Sequence, residues 1–349
     1  MFTELYIVPF LIAFALTIGL ILLFLLLPLF KREIWRMENR HGCKKALSRL
    51  GGVSMLTSFS FAVFFDTHLV LTREFYGLLC GSILIFLFGL WDDLSELNWK
   101  IQVFFQVVLT MTIFFFGIHI VSITNPLGGM IIIPYENAIL LSFFILFLWV
   151  FLVINAMNWL DGLDGLCGGV SFITFVTIFL LSLKPEVYQP PIALLAIIGA
   201  GITLGFLFFN MYPARILAGT VGSLFLGFLI AVLAVIAGTK IATALLVLSL
   251  PIMDALFVLW QRIREGSSPF HPDKRHLHFK LLRLGWSERQ IASFFFFFTM
   301  LISFLSLVTH GQGKFIALFL VFFFIFLLLL FIEHRSEAGH LEVKKIIST

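Results

Sequence analysis

Eleven apolar stretches, each near or above the length needed to cross a bilayer as a helix, run through this chain. They lie at roughly 5–30, 50–70, 75–91, 101–121, 138–154, 165–183, 191–209, 219–237, 241–259, 291–309 and 315–333. About 20 apolar residues suffice for one helical span. Composition removes the soluble alternatives. Of 349 residues, 60% are apolar, 12% are charged, and Phe takes 45 positions. Soluble domains run at about 45–50% apolar and about 25% charged, so a soluble core of this size could not cover its own surface. A disordered chain would be poor in aromatics and rich in charge. The expected fold is all-α: a polytopic integral membrane protein of about eleven transmembrane helices, residues 1–349 forming a single membrane-embedded domain.

The first stretch does not read as a cleavable signal peptide, because it starts with acidic Glu4 and its apolar run is too long. The second is diluted by Ser54, Thr57, Ser58 and Ser60. Orientation follows from Lys and Arg in the connections. Loops 31–49 and 260–290 carry seven each, and Lys100, Arg215, Arg335, Lys344 and Lys345 fall on the same side; only Arg73, Lys184, Lys240 and Lys314 fall on the other. Nineteen of the 23 cations on one side predict an external N-terminus and a cytoplasmic C-terminus. The cytoplasmic loops are then 31–49, 92–100, 155–164, 210–218 and 260–290. The net charge of +4 is a topology effect and not a nucleic-acid footprint. Cys43, Cys80 and Cys167 have neither metal nor redox spacing.

Acidic and amide groups within or beside spans are costly and need a reason. Here most of them collect on the predicted cytoplasmic face. The third stretch ends in Asp92-Asp93, two carboxylates where the helix dipole is already negative. They read either as a site for a hard cation such as Mg²⁺ or as a solvated helix end. The fifth exits through Asn155, Asn158, Asp161 and Asp164, with glycines at 162, 165, 168 and 169. Spacing by three makes one stripe on a helical path, suited to base or ribose edges and a cation; the alternative is a structural, glycine-broken turn. The loop after the ninth stretch holds His271, His276 and His278 among Arg262, Arg264, Lys274, Arg275 and Lys280, which fits a diphosphate or lipid phosphate. The absence of nearby Cys weighs against zinc there. Asn210 and Arg215 bracket Pro213, and Asp254 lies about two turns before Arg262, as a buried counter-charge or as a catalyst.

In order along the chain these motifs read Arg-x-Gly-Gly, Asp-Asp, Asn-x-x-Asn-x-x-Asp-Gly-x-Asp-Gly, Asn-x-x-Pro-Ala-Arg, Gly-Ser-x-x-x-Gly, Pro-Ile-x-Asp and Arg-His-x-His. The set resembles the polyprenyl-phosphate N-acetylhexosamine-1-phosphate transferases over nearly the whole length, and Arg275-His276-Leu277-His278 is more similar to the GlcNAc-type branch. The resemblance implies transfer of a sugar 1-phosphate from a UDP-N-acetylhexosamine to undecaprenyl phosphate with release of UMP. It implies Asp92, Asp93, His276 and His278 as catalytic residues, with Asp93 and Asp92 on Mg²⁺ (or Mn²⁺). Asn155, Asn158, Asp161, Asp164, Asn210 and Arg275 would hold the nucleotide sugar. Arg49, Lys100 and Lys274 would meet the lipid phosphate or the diphosphate. The implied setting is the bacterial inner membrane with the site facing the cytoplasm; a homodimer is compatible with it, and nucleic acid is not an expected partner.

One departure stands out. The family pattern Gly-Asp-x-Gly-Ser reads Gly219-Thr220-Val221-Gly222-Ser223 here, so a neutral hydroxyl replaces a metal-binding carboxylate. Three explanations follow: a low-activity or inactive homologue that binds lipid phosphate or nucleotide sugar, a metal held by Asp93 and another carboxylate, or an introduced substitution. A transporter, which places such groups near the midplane and often repeats its halves, fits less well.

Overall fold

The computed structural model describes residues 2–26, 35–40, 43–70, 72–125, 129–133, 137–238, 241–267 and 274–347. A π-helical turn, Thr3–Ile7, leads into α1 (Val8–Leu26). A hairpin of β1 (Trp35–Arg40) and β2 (Cys43–Ser48) follows, then α2 (Gly51–Phe64), α3 (Arg73–Ser95) and α4 (Trp99–Phe115). A second short hairpin, β3 (Ser122–Thr124) with β4 (Met130–Ile132), precedes α5 (Ile139–Leu160), α6 (Leu166–Ser182), α7 (Pro190–Asn210) and α8 (Gly219–Ile236). The chain ends with α9 (Ile241–Val247), α10 (Ser249–Arg264), α11 (Leu277–Arg283), α12 (Glu288–Val308) and α13 (Gly311–Ile347). The expected all-α membrane architecture is present, with two small two-stranded pairs added in the connections.

Local chemistry sets several helix starts. Thr72 accepts from the Phe75 N–H, Asn98 from the Lys100 N–H, and Ser287 with Gln290 closes a capping box on α12. Pro190 opens α7, where its missing N–H costs nothing. Helix α8 is the hub. From Val221 to Val235 every residue is buried, the pattern of a helix enclosed by others. Trp149 of α5 donates its indole N–H to the Ala231 carbonyl at 3.0 Å, fixing α5 beside it.

Among the described residues seven helices are long and apolar enough to cross a bilayer, or eight if the pair α9–α10 counts as one. Three more apolar helices, α2, α4 and α6, are shorter. At 1.5 Å per residue, 14–17 residues rise only about 21–26 Å, short of a roughly 30 Å hydrocarbon layer. The ninth stretch, read from sequence as one straight span over 241–259, is instead two helices bent by 77°. Pro251 sits in the first turn of α10, a place that tolerates its absent N–H.

The bulk of the core lies between these helices. At one end of α8 the Arg49-Leu50-Gly51-Gly52 segment is stitched to the loop before α8. The Gly51 N–H donates to the Leu217 carbonyl at 3.1 Å, Gly52 to Ala218 at 2.9 Å, and Leu217 to Ser48 at 2.8 Å.

Candidate active site

Asp93, at the end of α3, points its carboxylate at the first turn of α8. Oδ1 accepts from the Thr220 N–H at 2.9 Å and from Arg49 Nη1 at 3.2 Å, and Oδ2 accepts from the Val221 N–H at 3.4 Å. A carboxylate meets orphan N–H groups and the positive end of the helix dipole there. Gly219 makes the approach feasible: it adopts φ +67°, and a Cβ on it would lie 2.7 Å from Asp93 Oδ2. Arg49, expected on lipid phosphate, thus closes an ion pair with a carboxylate that is only 3% exposed.

Asp92 faces a different set. Its Oδ1 accepts from the Leu97 N–H at 3.0 Å and Gln102 Nε2 at 3.1 Å, while Oδ2 accepts from the Thr220 hydroxyl at 2.7 Å. Residue 220 therefore stands directly against the acid pair. From α8 the network continues, since Ser223 Oγ donates to Asn158 Oδ1 at 2.7 Å.

The expected polar stripe only half survives. Helix α5 ends at Leu160, with Asp161 in the C-cap position. Gly162 and Gly165, the latter at φ +76°, then turn the chain out of the helical path. Asn155 is buried and exchanges hydrogen bonds with Gln106 at 2.8 and 3.3 Å. Asp164, 2% exposed, accepts from the Ala214 N–H at 2.9 Å. Asn210 accepts from the Gly165 N–H at 2.9 Å and donates to the Ile216 carbonyl at 2.8 Å. Asp164 and Asn210 thereby tie the glycine turn to the loop before α8. Asn158 and Asp161 are the partly exposed members of the set.

The His segment arrives from the other side. The His276 ring lies 5.5 Å from Trp159 and 5.9 Å from the His278 ring, nearly parallel to the latter at 4°. His278 is fully buried against Gly162, where a Cβ would collide with Nε2. Arg262, 3% exposed, stacks over Trp159 at 5.8 Å. The acids of α3, the end of α5 and the His segment are thus one connected cluster.

The remaining expected site residues lie around this cluster or on the surface. Arg275 pairs with Glu265 at 2.6 Å. Lys100 is exposed with its ammonium over Trp99, and Lys274 is exposed. His271 lies outside the described residues. Asp254, read as a buried counter-charge or as a catalyst, faces the His segment. Its Oδ2 lies 2.9 Å from His276 Nδ1, and its Oδ1 accepts from the Leu277 N–H at 2.7 Å. The α9–α10 bend, invisible as apolar periodicity, aims Asp254 at the His segment. Gln102 and Gln106 were also missed; Lys280, one of the expected loop cations, is 1% exposed and meets Glu333 at 2.5 Å.

Among the described residues no three or more His, Cys, Asp or Glu side chains converge to cage a metal. The donors offered by Asp92, Asp93 and Thr220 are all oxygens, a chemistry that suits a hard divalent cation completed by phosphate and water.

An apolar helical bundle with a partly buried acid pair, an amide-bearing helix end and a His segment gathered at one end defines a membrane-embedded protein with one polar cluster. Residues 75–238 match the family model described as glycosyl transferase family 4. The chain is similar to the probable undecaprenyl-phosphate N-acetylglucosaminyl 1-phosphate transferase of Bacillus subtilis (strain 168), 27% identical over 96% of this chain and 94% of that one. It is 31% identical to the decaprenyl-phosphate N-acetylglucosaminephosphotransferase of Mycobacterium leprae (strain TN), over 73% of this chain and 71% of the relative. The undecaprenyl-phosphate alpha-N-acetylglucosaminyl 1-phosphate transferase of Yersinia pestis is 26% identical over 69% and 67%. The chain belongs to glycosyl transferase family 4.

Proposed function

We propose that this chain transfers N-acetylhexosamine 1-phosphate, most readily that of GlcNAc, from a UDP-sugar to undecaprenyl phosphate. UMP is released and a lipid-linked glycan is started. The observation that carries this reading is the single network running from Asp92 and Asp93 through Thr220 and Ser223 to Asn158, with His276 and His278 packed on Trp159 and Gly162. The three relatives, named as GlcNAc-phosphate transferases acting on polyprenyl phosphates, support it.

In the proposed reaction an oxygen of the lipid phosphate forms a bond to the sugar-side phosphorus while the bond from that phosphorus to UMP breaks. Positioning and charge neutralisation supply most of the barrier reduction in such transfers. Asn158 and Asp161 hold the uridine, and Asp92 orients the attacking phosphate. His276, His278, Arg275 and Lys274 meet the diphosphate and sugar, and Arg49 and Lys100 draw in the lipid phosphate. Asn155, Asp164 and Asn210 act by shaping the walls. Mg²⁺, or Mn²⁺, held by Asp92 and Asp93 with the Thr220 hydroxyl, would supply neutralisation of the diphosphate. We place all eleven apolar stretches across a bacterial inner membrane, N-terminus outside and the site facing the cytoplasm; the Lys and Arg bias of the loops supports this.

A second reading is a weak transferase that chiefly binds its ligands. The observation favouring it is the Thr220 hydroxyl at Asp92 Oδ2, in the place where the family motif carries a third acid. UMP release by purified protein given UDP-GlcNAc, undecaprenyl phosphate and Mg²⁺, compared with Thr220→Asp, separates the two. Turnover in the present sequence supports the first; UDP-GlcNAc binding with turnover only in the variant supports the second. No turnover by either protein with any UDP-amino sugar rejects both.

A further inference from the structure

Asp254 is a carboxylate within a membrane-spanning segment that the proposed reaction does not use. It is 5% exposed and sits six residues past the α9–α10 break. A buried charge of this kind is retained only when it is paired and fully bonded. Its two oxygens are divided between two donors on one neighbouring segment. Oδ1 accepts from the Leu277 backbone N–H at 2.7 Å, and Oδ2 lies 2.9 Å from His276 Nδ1.

This division has a consequence for the imidazole. A carboxylate only accepts, so the Nδ1 edge of His276 must carry its proton toward Asp254. In the neutral ring the lone pair then lies on Nε2, on the opposite edge. The ring plane is held as well, since His276 stacks on His278 at 4° and lies against Trp159 at a 37° tilt. The Leu277 N–H bond sets the backbone so that the ring cannot turn its Nδ1 away without leaving a buried donor unmet.

We propose that Asp254 is a positioning residue. It fixes the tautomer and orientation of His276 so that Nε2 is the ring nitrogen presented to the diphosphate of the nucleotide sugar. The proposal rests on the reading of the His segment as part of the site, but its tautomer component does not.

The geometry makes Asp254→Asn a sharp probe. The Leu277 N–H holds the one amide oxygen, so the amide NH₂ is left facing His276 Nδ1. That ring nitrogen must then accept, and the proton moves to Nε2. Side-chain ¹⁵N spectra of the full-length protein at about pH 8, where a histidine is mainly neutral, read this directly, with His276→Gln supplying the assignment. The expected result is an Nδ1-protonated ring in the present sequence and an Nε2-protonated ring in Asp254→Asn. UDP-GlcNAc affinity should fall about tenfold, in the range seen when an orienting partner of a histidine is lost. The double variant with His276→Gln should be no weaker than His276→Gln alone. Asp254→Glu, which keeps two acceptors, should retain the native tautomer. An unchanged tautomer in Asp254→Asn, or losses that multiply in the double variant, overturns the proposal. If the present sequence fails to bind UDP-GlcNAc, the reading of the site fails while the tautomer spectra still decide the role of Asp254.

Discussion

The Thr220 hydroxyl donates a 2.7 Å hydrogen bond to Asp92 Oδ2, and the same residue's N–H donates to Asp93 at 2.9 Å. One threonine therefore serves both members of the acid pair. A carboxylate in its place would add a third negative group and remove a donor.

Thr220→Asp should consequently make the protein cation-dependent. Like charges held this close repel strongly in a partly buried setting. Without divalent cation the variant should melt several degrees below the present sequence. Saturating Mg²⁺ at about 100 times its Kd should return roughly 2.7 kcal/mol. Thermal unfolding in detergent with and without chelator checks this; no response to Mg²⁺ in either protein counts against a metal site at residues 92, 93 and 220.

Asp93→Asn should cost stability as well as turnover, because Asp93 meets two α8 N–H groups and Arg49. Loss of a helix-terminal anion and a mostly buried ion pair is worth about 2 kcal/mol, discounted because Arg49 is 19% exposed. A melting temperature within one degree of the parent would contradict the capping role.

Much of this was legible in the sequence. The motifs named the acid pair, the amide-bearing helix end and the His segment, because charged and amide groups are too costly in an apolar chain to lack a role. What could not be read was the direction of each side chain. Spacing by three placed Asp164 on the stripe of Asn155 and Asn158, but helix α5 stops at Leu160 and Asp164 bonds the Ala214 N–H instead. Asp254 read as a buried counter-charge to a loop cation or as a catalyst, with no partner fixed. The 77° break before α10, which leaves hydropathy unchanged, delivers it to His276.

Gly162→Ala should separate folding from function. The added methyl would strike His278 Nε2, an overpacking cost of about 1–3 kcal/mol, and shift the His segment. UMP release should fall at least tenfold. In Gly162→Ala/His278→Ala the melting temperature should recover while turnover stays low. Recovery of both would mean that His278 only fills space.

Glu333→Gln should be more damaging than removing its whole ion pair. Lys280 is 1% exposed and meets Glu333 at 2.5 Å, and a buried ammonium left with only Gln261 Oε1 at 3.4 Å and the Phe257 ring should cost about 1–3 kcal/mol. Lys280→Met with Glu333→Leu should lie within about 1 kcal/mol of the parent, since replacing both charges by apolar groups is often neutral. Denaturation of the single and double variants in parallel provides the check, and equal losses would refute the pairing.

The most direct measurement of the central claim, one phosphate-handling site facing the cytoplasm, is product formation in sealed membrane vesicles of known sidedness supplied with UDP-GlcNAc. Inside-out vesicles are predicted to make undecaprenyl-diphospho-GlcNAc with an equal amount of UMP, strongly reduced by Asp92→Asn, while right-side-out vesicles make none. Product in right-side-out vesicles only, or in neither orientation even with Thr220→Asp, would contradict the account.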